Sequence, residues 1–278
     1  MYYLFGLIGY PIKHSLSPWI HEQFMKQTNT RGEYTIFEIE QNADFKAEIN
    51  NLRQKNIKGF NVTIPYKETI INELNDIDEQ ARNIGAVNTV LNLDGKLIGY
   101  NTDGLGYVKS LEKAYPSVKE TDPNILLLGA GGAARGIYNG LKSSGYLNID
   151  IANRTFEKAE KIKQTNLVGR TKILTLEEAE SKLDQYDIII QTTSVGMKPK
   201  TNEQIINLDK LKQTAIISDI VYQPIMTQFL KDGKKRGANI HKGHTMLLYQ
   251  AELAFNIWTN QQIKMNDMDL KLQNKLEG

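Results

Sequence analysis

Short apolar runs alternate with longer amphipathic stretches in the first part of the chain. We predict β-strands for the runs YYLFGLIG, YTIFEIE and GFNVTI, and helices for the stretches 18–28 and 44–55 between them. This β-α-β-α-β order favours parallel strands with helices packed on the faces of the sheet. The first part is therefore predicted to be an α/β domain.

A β-hairpin is predicted in the next segment, AVNTVLNLDGKLIGYNTDG. Asp94 and Gly95 lie between two strand-like runs, and an Asp-Gly pair in that place is typical of a two-residue hairpin turn. With this turn Asn88 lies opposite Asn101, and Asp103 is diagonal to Asn88 on the same face. The open end of the hairpin is thus predicted to gather an amide and a carboxylate.

A second alternating region follows, and its strands are apolar on both faces. We predict strands for NILLLG, LNIDIAN, TKILTL, YDIIIQTT and TAIISDIV, with helices between them. Strands that are apolar on both faces belong in a parallel sheet covered by helices on each side. The pattern predicts a doubly wound dinucleotide-binding fold.

Composition excludes several classes of protein. Acidic and basic residues nearly cancel in the 278-residue chain, at a net charge of +2, which argues against a nucleic-acid partner. The chain has no cysteine, and no apolar run reaches the ~20 residues needed to span a membrane. The four histidines have no carboxylate or cysteine partners at metal-ligand spacing, so no metal site is predicted. We expect a cytoplasmic protein without a membrane partner.

The segment NILLLGAGGAARG carries the strongest local motif. Gly129, Gly131 and Ala134 have the G-x-G-x-x-G/A spacing, directly after a predicted strand and at the start of a predicted helix. Without side chains, the backbone approaches a pyrophosphate, and free amides and the helix dipole hold its charge. The alternative is a plain tight turn. The predicted cofactor cradle consists of Gly129, Ala130, Gly131, Gly132 and Ala133.

The end of the next strand indicates which dinucleotide binds. An NAD site would offer an acid to the ribose hydroxyls there, but Asp150 falls within the strand, which ends on Asn153-Arg154-Thr155. Arg154 and Lys158, one turn further on, suit a 2′-phosphate, so NADP is predicted. The alternative is that both are ordinary surface bases at a helix start.

Two further groups of polar residues suggest a ligand site. Ser17, before Pro18, has two interpretations. It is either a helix N-cap or, together with Ser15, part of a carboxylate site. The second interpretation would explain Ser15, for which a cap has no use. Lys67 follows the strand GFNVTI where a helix is predicted to begin, and a cation gains nothing from the dipole there. The predicted partner of Lys67 is Asp103.

These segments occur in an order that closely resembles the shikimate dehydrogenase family. The shared segments are SLSP, NVTIPYK, GAVNTV, NTDG, GAGGAARG, NRT, TTSVGM, DIVYQPIMT and YQAELAF. The resemblance implies an N-terminal α/β substrate domain, 1–103, completed by C-terminal helices in 240–278. It also implies an NADP-binding Rossmann domain, 104–239, with a cleft between the two domains.

The resemblance also implies roles for individual residues. Ser15 and Ser17 are expected to hold the substrate carboxylate, and Lys67 and Asp103 to form the catalytic pair. The residues expected to bind ring hydroxyls or to orient the site are Asn61, Thr63, Asn88 and Gln250. Tyr222 is expected at the substrate cleft, Met197 and Gly243 near the nicotinamide, and Thr193 among the residues that bind the cofactor. The chain departs from the family at His244, where a smaller or apolar residue is expected, and at Lys158, where the family has arginine.

The implied activity is the reversible NADPH-dependent reduction of 3-dehydroshikimate to shikimate, in aromatic amino acid biosynthesis. Two alternatives stay open: a quinate or quinate/shikimate dehydrogenase of the same fold, and a non-catalytic NADP-binding sensor. The sequence also leaves open whether Lys67 or Asp103 donates the proton, and whether the protein is a monomer or a homodimer.

Overall fold

The computed structural model describes residues 2–277, which divide into two compact units. Unit 1 contains the residues up to Thr102 together with Gln250–Asn266. Unit 2 contains Asp103–Tyr249 together with the residues from Asp267 onward. This division differs from the predicted one, in which all of 240–278 returned to the first domain. None of the helices within 2–277 is both long and apolar enough to cross a membrane.

Unit 1 is built on a six-stranded mixed sheet in the order β2-β1-β3-β5-β6-β4. Its strands are β1 (Tyr3–Gly9), β2 (Gly32–Glu38), β3 (Gly59–Val62), β4 (Asp76–Ile77), β5 (Thr89–Leu93) and β6 (Lys96–Tyr100). Its helices are α1 (Ser17–Thr28), α2 (Phe45–Gln54) and α3 (Glu79–Ile84). Strands β2, β1 and β3 are parallel, which confirms the predicted β-α-β-α-β start. The short β4 and α3 carry too few apolar residues for a periodicity to reveal them.

The hairpin register is the predicted one. Leu93 pairs with Lys96 and Thr89 pairs with Tyr100 across the turn. Asp94 and Gly95 both have positive φ, at 51° and 87°, as a type I′ turn requires. The turn therefore fixes which residues of β5 and β6 share a face.

The two faces of the sheet in unit 1 have different compositions. Ile8, Phe60 and Val62 belong to a buried cluster that also contains Ile49 and Leu52 of α2. Residues one position away in the strands point to the opposite face because side chains alternate along a strand. Phe5 and Asn61 therefore share the other face, on which Phe5 stacks with Trp258 at 5.2 Å between ring centroids.

Unit 2 contains a fully parallel six-stranded sheet in the order β12-β11-β10-β7-β8-β9. Its strands are β7 (Ile125–Leu128), β8 (Ile149–Ala152), β9 (Ile173–Leu174), β10 (Ile188–Gln191), β11 (Ile216–Asp219) and β12 (Asn239–Lys242). Its helices are α4 (Asp103–Ala114), α5 (Gly132–Ser143), α6 (Phe156–Lys163), α7 (Leu176–Ser181), α8 (Gln228–Lys235), the first part of α9 (Gly243–Thr259) and α10 (Met268–Glu277). The strand order is that of the doubly wound dinucleotide-binding fold, as predicted. Strand β12 was not predicted, because only Ile240 in it is a large apolar residue.

Helix α9 is shared between the units. Its residues up to Tyr249 belong to unit 2, and those from Gln250 belong to unit 1. The side chain of His244, near its start, makes a 2.6 Å contact from Nε2 to Oδ1 of Asp269 in α10. This contact ties the C-terminal helix to unit 2.

Helices α4 and α5 of unit 2 approach each other at backbone distance. A Cβ built on Gly104 would collide with the carbonyl oxygen of Gly136, and one built on Gly140 would collide with the backbone of Gly104. Side chains at these two positions would force the helices apart. The glycines therefore fix the start of α4, where Asp103 lies, relative to α5.

Candidate functional site

The first candidate group in unit 1 lies at the start of α1. The N-cap of this helix is Leu16, which makes no side-chain cap, so the interpretation of Ser17 as the N-cap is wrong. Ser17 is the first helical residue, and Ser15 Oγ accepts a hydrogen bond from its backbone nitrogen at 3.2 Å. Ser15 thus satisfies one of the free amides at the helix start, a use that the sequence had not indicated. Both hydroxyls lie where the helix dipole favours an anion.

Asn61 lies in β3 and is almost fully hydrogen-bonded. Its Oδ1 accepts from the Tyr34 hydroxyl at 2.8 Å. Its Nδ2 donates to the Asn88 carbonyl and to Thr89 Oγ1, both at 3.2 Å. Because both amide hydrogens are used inside the protein, Asn61 can meet a ligand only as an acceptor at Oδ1, and His21 also interacts with this amide.

Asn88 connects this amide to the hairpin and to α9. Its Oδ1 accepts from the Thr102 backbone nitrogen at 2.8 Å and from Thr89 Oγ1 at 3.0 Å. Its Nδ2 donates to Thr102 Oγ1 at 3.0 Å and to Gln250 Oε1 at 3.4 Å. The structure therefore brings together three of the predicted substrate residues, Asn61, Asn88 and Gln250, in one buried network.

Three members of this network escaped the sequence reasoning. Tyr34, Thr89 and Thr102 are each at most 6% exposed, and each hydrogen-bonds to Asn61 or Asn88. Thr89 and Thr102 are adjacent to Asn88 and Asn101 in the motifs GAVNTV and NTDG, so their proximity was readable from the hairpin register. Tyr34 gave no such signal, since it alternates with the polar residues Glu33 and Thr35, as a core-facing residue of an ordinary strand does.

Thr63, Lys67 and Asp103 lie at the ends of elements. Thr63 follows β3, and its backbone nitrogen donates to the Ile8 carbonyl at 2.9 Å. Lys67 precedes a single 3₁₀ turn, Thr69–Glu73, instead of the predicted helix, which weakens the argument from a helix dipole. Asp103 is the first residue of α4 and belongs to unit 2. The pairing of Lys67 with Asp103 stays a prediction.

The aromatic residues His21 and Tyr34, next to this network, are uncharged. The imidazole of His21 stacks on the Tyr34 ring at 4.4 Å between centroids, with 5° between the planes. Burial lowers the pKa of His21 to about 3, and burial raises the pKa of Tyr34 well above its usual range. Both groups are therefore neutral near pH 7, and Tyr34 keeps the proton with which it donates to Asn61.

In unit 2, the turn after β7 combines one crowded glycine with two open ones. Gly129 has φ of 107°, and a Cβ there would lie 2.7 Å from Thr193 Cγ2. A Cβ on Gly131 or Gly132 would meet no described atom within 4 Å. Helix α5 begins at Gly132, and its N-cap, Gly131, provides no side-chain cap. Open space in front of uncapped helix amides fits a pyrophosphate, so this turn fits a dinucleotide.

The end of β8 fits a 2′-phosphate, because Asp150 is buried within the strand and already hydrogen-bonded to other protein groups. Asp150 is buried and accepts hydrogen bonds from the Lys172 backbone nitrogen at 2.8 Å and the Tyr186 hydroxyl at 2.9 Å. Arg154 is exposed just before α6, and Lys158 is exposed in the first turn of α6. Thr155, the N-cap of α6, makes no side-chain cap, and Asn153 Nδ2 donates to its carbonyl at 2.8 Å. These groups can hold a phosphate at the end of β8.

The segments after β10 and β11 are held by Gln191 and Asp219. Gln191 Oε1 accepts from both the backbone and the hydroxyl of Thr193. Asp219 accepts from Thr227 Oγ1 at 2.6 Å and from the Val221 backbone at 2.9 Å. Burial raises the pKa of Asp219 to about 6. Neither residue was singled out in the sequence, yet both shape the segments that carry Thr193 and Tyr222.

The remaining predicted positions are placed as follows. Met197 is 47% exposed after β10, and burial raises the pKa of Tyr222 after β11. Gly243 begins α9 against the carbonyl oxygens of Ile220 and Asp219, where a Cβ would collide. His244, which departs from the family pattern, is 2% exposed and bonded to Asp269, so its role is to anchor α10.

Comparison with known proteins identifies the family. Residues 7–90 match the shikimate dehydrogenase substrate binding domain, and residues 112–226 match shikimate / quinate 5-dehydrogenase. The shikimate dehydrogenase (NADP(+)) of Oceanobacillus iheyensis is 50% identical over 273 residues, which cover 98% of each chain.

Solved structures agree with this match. A shikimate dehydrogenase in complex with NADP+ is 38% identical, with a TM-score of 0.90, and the match covers 99% of this chain and 96% of that one. The Thermus thermophilus enzyme in complex with NADP(H) and shikimate is 28% identical, with a TM-score of 0.85, over 99% of each chain. The resemblance found in the sequence is confirmed, and the chain belongs to the shikimate dehydrogenase family.

Proposed function

We propose that this protein is an NADP-dependent shikimate dehydrogenase, which reversibly reduces 3-dehydroshikimate to shikimate. The observation that carries the proposal is that both units match their own part of the same enzyme family. The open, uncapped glycine turn of unit 2 supports dinucleotide binding. The exposed Arg154 and Lys158, with Asp150 committed elsewhere, support NADP over NAD. The substrate is a small molecule, and a cytoplasmic location and the oligomeric state stay predictions.

Unit 1 is proposed to bind the substrate. Ser15 and Ser17, at the start of α1, are suited to its carboxylate, because hydroxyl donors and the helix dipole both favour an anion. Asn61, Asn88 and Gln250 belong to one network that presents oxygen and nitrogen atoms of fixed orientation. Thr63 and Tyr222 are proposed to complete the contacts with the ring. A polyhydroxylated ring acid needs this mixture of an anion site and hydroxyl partners.

The chemistry requires hydride transfer and proton transfer at the same carbon and its oxygen. NADP, when bound, supplies or accepts the hydride. As the ketone is reduced its oxygen becomes alkoxide-like, and the ammonium of Lys67 would stabilise that charge more in the transition state than in the ground state. Asp103 would orient Lys67 and share the proton with it. Met197 and Gly243 are proposed to lie at the nicotinamide, and Thr193 is proposed to bind the coenzyme.

One alternative substrate keeps some support. The family description of residues 112–226 names both shikimate and quinate. A quinate dehydrogenase would act on a ring that carries an extra hydroxyl at the carbon bearing the carboxylate. The carboxylate-side residues, Ser15 and Ser17, would then have to accommodate that group.

The test is a direct assay of the purified protein. The near-ultraviolet absorbance of reduced nicotinamide is followed with shikimate or quinate, each combined with NADP or NAD. We expect shikimate with NADP to give the highest kcat/KM. Faster turnover of quinate would replace the proposed substrate, and NADP binding without turnover of either acid would favour a non-catalytic sensor.

A further inference from the structure

Tyr34 lies in the same sheet of unit 1 as Asn61, two strands away. It is in β2, and β1 separates that strand from β3, which carries Asn61. Tyr34 pairs with Phe5, and Asn61 pairs with Leu7, two residues further along β1. Since residues two apart in a strand share a face, the tyrosine side chain reaches along this face to the asparagine. The hydrogen bond between them, 2.8 Å long, joins two strands that are not neighbours.

The ring of Tyr34 packs against other aromatic rings, and its hydroxyl is the part of the side chain that makes polar contacts. His21 stacks on one face of the ring, and Trp258 lies at 6.3 Å between centroids. The residue is only 6% exposed, so the ring cannot turn toward solvent. A buried hydroxyl in a fixed ring acts as a donor of fixed direction, and this hydroxyl also interacts with Ser17 at the start of α1.

Asn61 is the group that receives this donation. Its two amide hydrogens are fixed by the Asn88 carbonyl and by Thr89 Oγ1, and one lone pair of Oδ1 is fixed by Tyr34. Asn61 has no amide hydrogen left to donate, and His21 also interacts with this amide. Toward a ligand Asn61 can therefore only accept at Oδ1, which suits a substrate hydroxyl and not a carboxylate. The donor from Tyr34 sets the direction in which Oδ1 points.

We propose that Tyr34 is a positioning residue for substrate recognition, which orients the Asn61 amide so that Oδ1 accepts a hydrogen bond from a ring hydroxyl of the substrate. This inference rests on the proposed function, since it concerns the same substrate. In this proposal Tyr34 acts through Asn61 and not on the reacting atoms. Its loss therefore weakens substrate binding through Asn61 and leaves hydride transfer and coenzyme binding in place.

The experiment compares Tyr34→Phe with a matched control, Tyr146→Phe. Tyr146 is also buried, and its hydroxyl donates to Glu112 Oε1 at 3.1 Å in unit 2. We expect Tyr34→Phe to raise KM for shikimate about fivefold to tenfold, the value of one buried hydrogen bond, with kcat within about twofold of the wild type. KM for NADP should not change. Tyr146→Phe should leave both KM values unchanged.

A double-mutant cycle separates positioning from a general structural effect. If Tyr34 acts through Asn61, Tyr34→Phe adds nothing to KM for shikimate in an Asn61→Ala background. Additive effects in the cycle, an unchanged KM in Tyr34→Phe, or an equal rise in KM for NADP would each overturn the proposal. So would a Tyr34→Phe chain that fails to fold while Tyr146→Phe folds. A wild-type protein that turns over no shikimate would instead overturn the proposed function, so the two failures are distinguishable.

Discussion

In unit 1, polar side chains of β3, β5 and the open end of the hairpin form hydrogen bonds with one another in the interior. In unit 2, by contrast, the turn after β7 exposes backbone atoms without side chains to open space. Asn61 and Asn88 are 5% and 3% exposed, and each has several partners. Gly131 and Gly132 have no described atom within 4 Å of the position where a Cβ would lie. The candidate substrate groups thus consist of side chains, and the candidate coenzyme groups consist mainly of main-chain atoms.

This difference indicates how each unit can be damaged. Unit 1 should lose function when atoms are removed, because its binding groups are side chains held by one another. Unit 2 should lose function when atoms are added, because its binding groups are exposed by the absence of side chains. Four variants, two in each unit, test the two halves of this contrast.

The largest expected effect is on stability, from a methyl group added in unit 2 at Gly104. In Gly104→Ala the new Cβ would collide with the Gly136 carbonyl, and two backbones cannot relieve this by a change of rotamer. We expect the free energy of unfolding to fall by about 3 kcal/mol, the upper part of the usual range for overpacking. Urea denaturation followed by circular dichroism measures the change. An unchanged midpoint would mean that α4 and α5 are not in backbone contact.

The next effect is on turnover, from the removal of the ammonium in unit 1. We expect Lys67→Ala to lower kcat about a hundredfold or more, the scale of general acid–base catalysis, with substrate binding less affected. The control is Lys96→Ala, which removes an exposed lysine beside the hairpin turn of the same unit. Turnover of Lys67→Ala at the wild-type rate would remove this residue from the proposed mechanism.

A smaller effect should follow from a methyl group at Gly131. The residue has φ of −91°, which alanine adopts without strain, and the space around it is open. We therefore expect Gly131→Ala to raise KM for NADP about tenfold, because the methyl group lies where a pyrophosphate would approach the amides. The midpoint of urea denaturation should stay that of the wild type. A destabilised variant with normal NADP binding would contradict the proposed cradle.

The last effect is the smallest per pH unit, and it concerns acid stability and His21. The pKa of this buried histidine is about 3 in the folded protein and near its ordinary value of 6.5 when unfolded. The unfolded chain therefore binds more protons below pH 6.5, and stability falls as the pH decreases from there toward 3. The expected loss is about 1 kcal/mol per pH unit.

Trp19 and Trp258 both lie in unit 1, so tryptophan fluorescence reports on its unfolding. In His21→Phe, which keeps an aromatic ring beside Tyr34, we expect this part of the pH dependence to disappear between pH 6.5 and 4. Equal pH slopes in the wild type and the variant would show that His21 does not contribute.

Unit 2 should respond to acid differently because it contains two opposing groups. Burial lowers the pKa of His241 to about 4, so His241 makes the unit less stable as the pH falls below 6.5. Asp219, with its pKa raised to about 6 by burial, contributes in the opposite direction, since the folded unit binds its proton more readily than the unfolded chain. The two contributions partly cancel between about pH 6 and 4.

Much of the architecture was predictable because it depends on local patterns. The alternation of apolar residues and the Asp94-Gly95 turn specified the strands of unit 1 and the register of the hairpin. The glycine spacing, together with the strand before it and the helix after it, specified the dinucleotide fold of unit 2. Strand β12 was missed because it contains too few large apolar residues to give a signal.

The candidate site was only partly predictable, because its contacts join distant strands. Asn61, Asn88 and Gln250 were proposed from motifs, but the bond between Tyr34 and Asn61 depends on the strand order β2-β1-β3. The local role of Ser15 was missed, since α1 starts at Ser17, one residue earlier than a cap at Ser17 would imply. Asp219 and Gln191 act through loop geometry that no periodicity encodes.

The backbone contact between α4 and α5 has a consequence for how this protein can be recombined. Asp103 is the first residue of α4, which contacts the backbone of α5 at Gly104. Helix α5 in turn begins at the glycine turn proposed for the coenzyme. Asp103 and this turn therefore belong to one structural unit and would be transferred together. A chimaera joined between positions 102 and 103 would take its proposed catalytic acid from the donor of the coenzyme domain and its lysine from the other parent. Exchange of coenzyme preference by domain grafting would then also exchange half of the proposed proton-transfer pair.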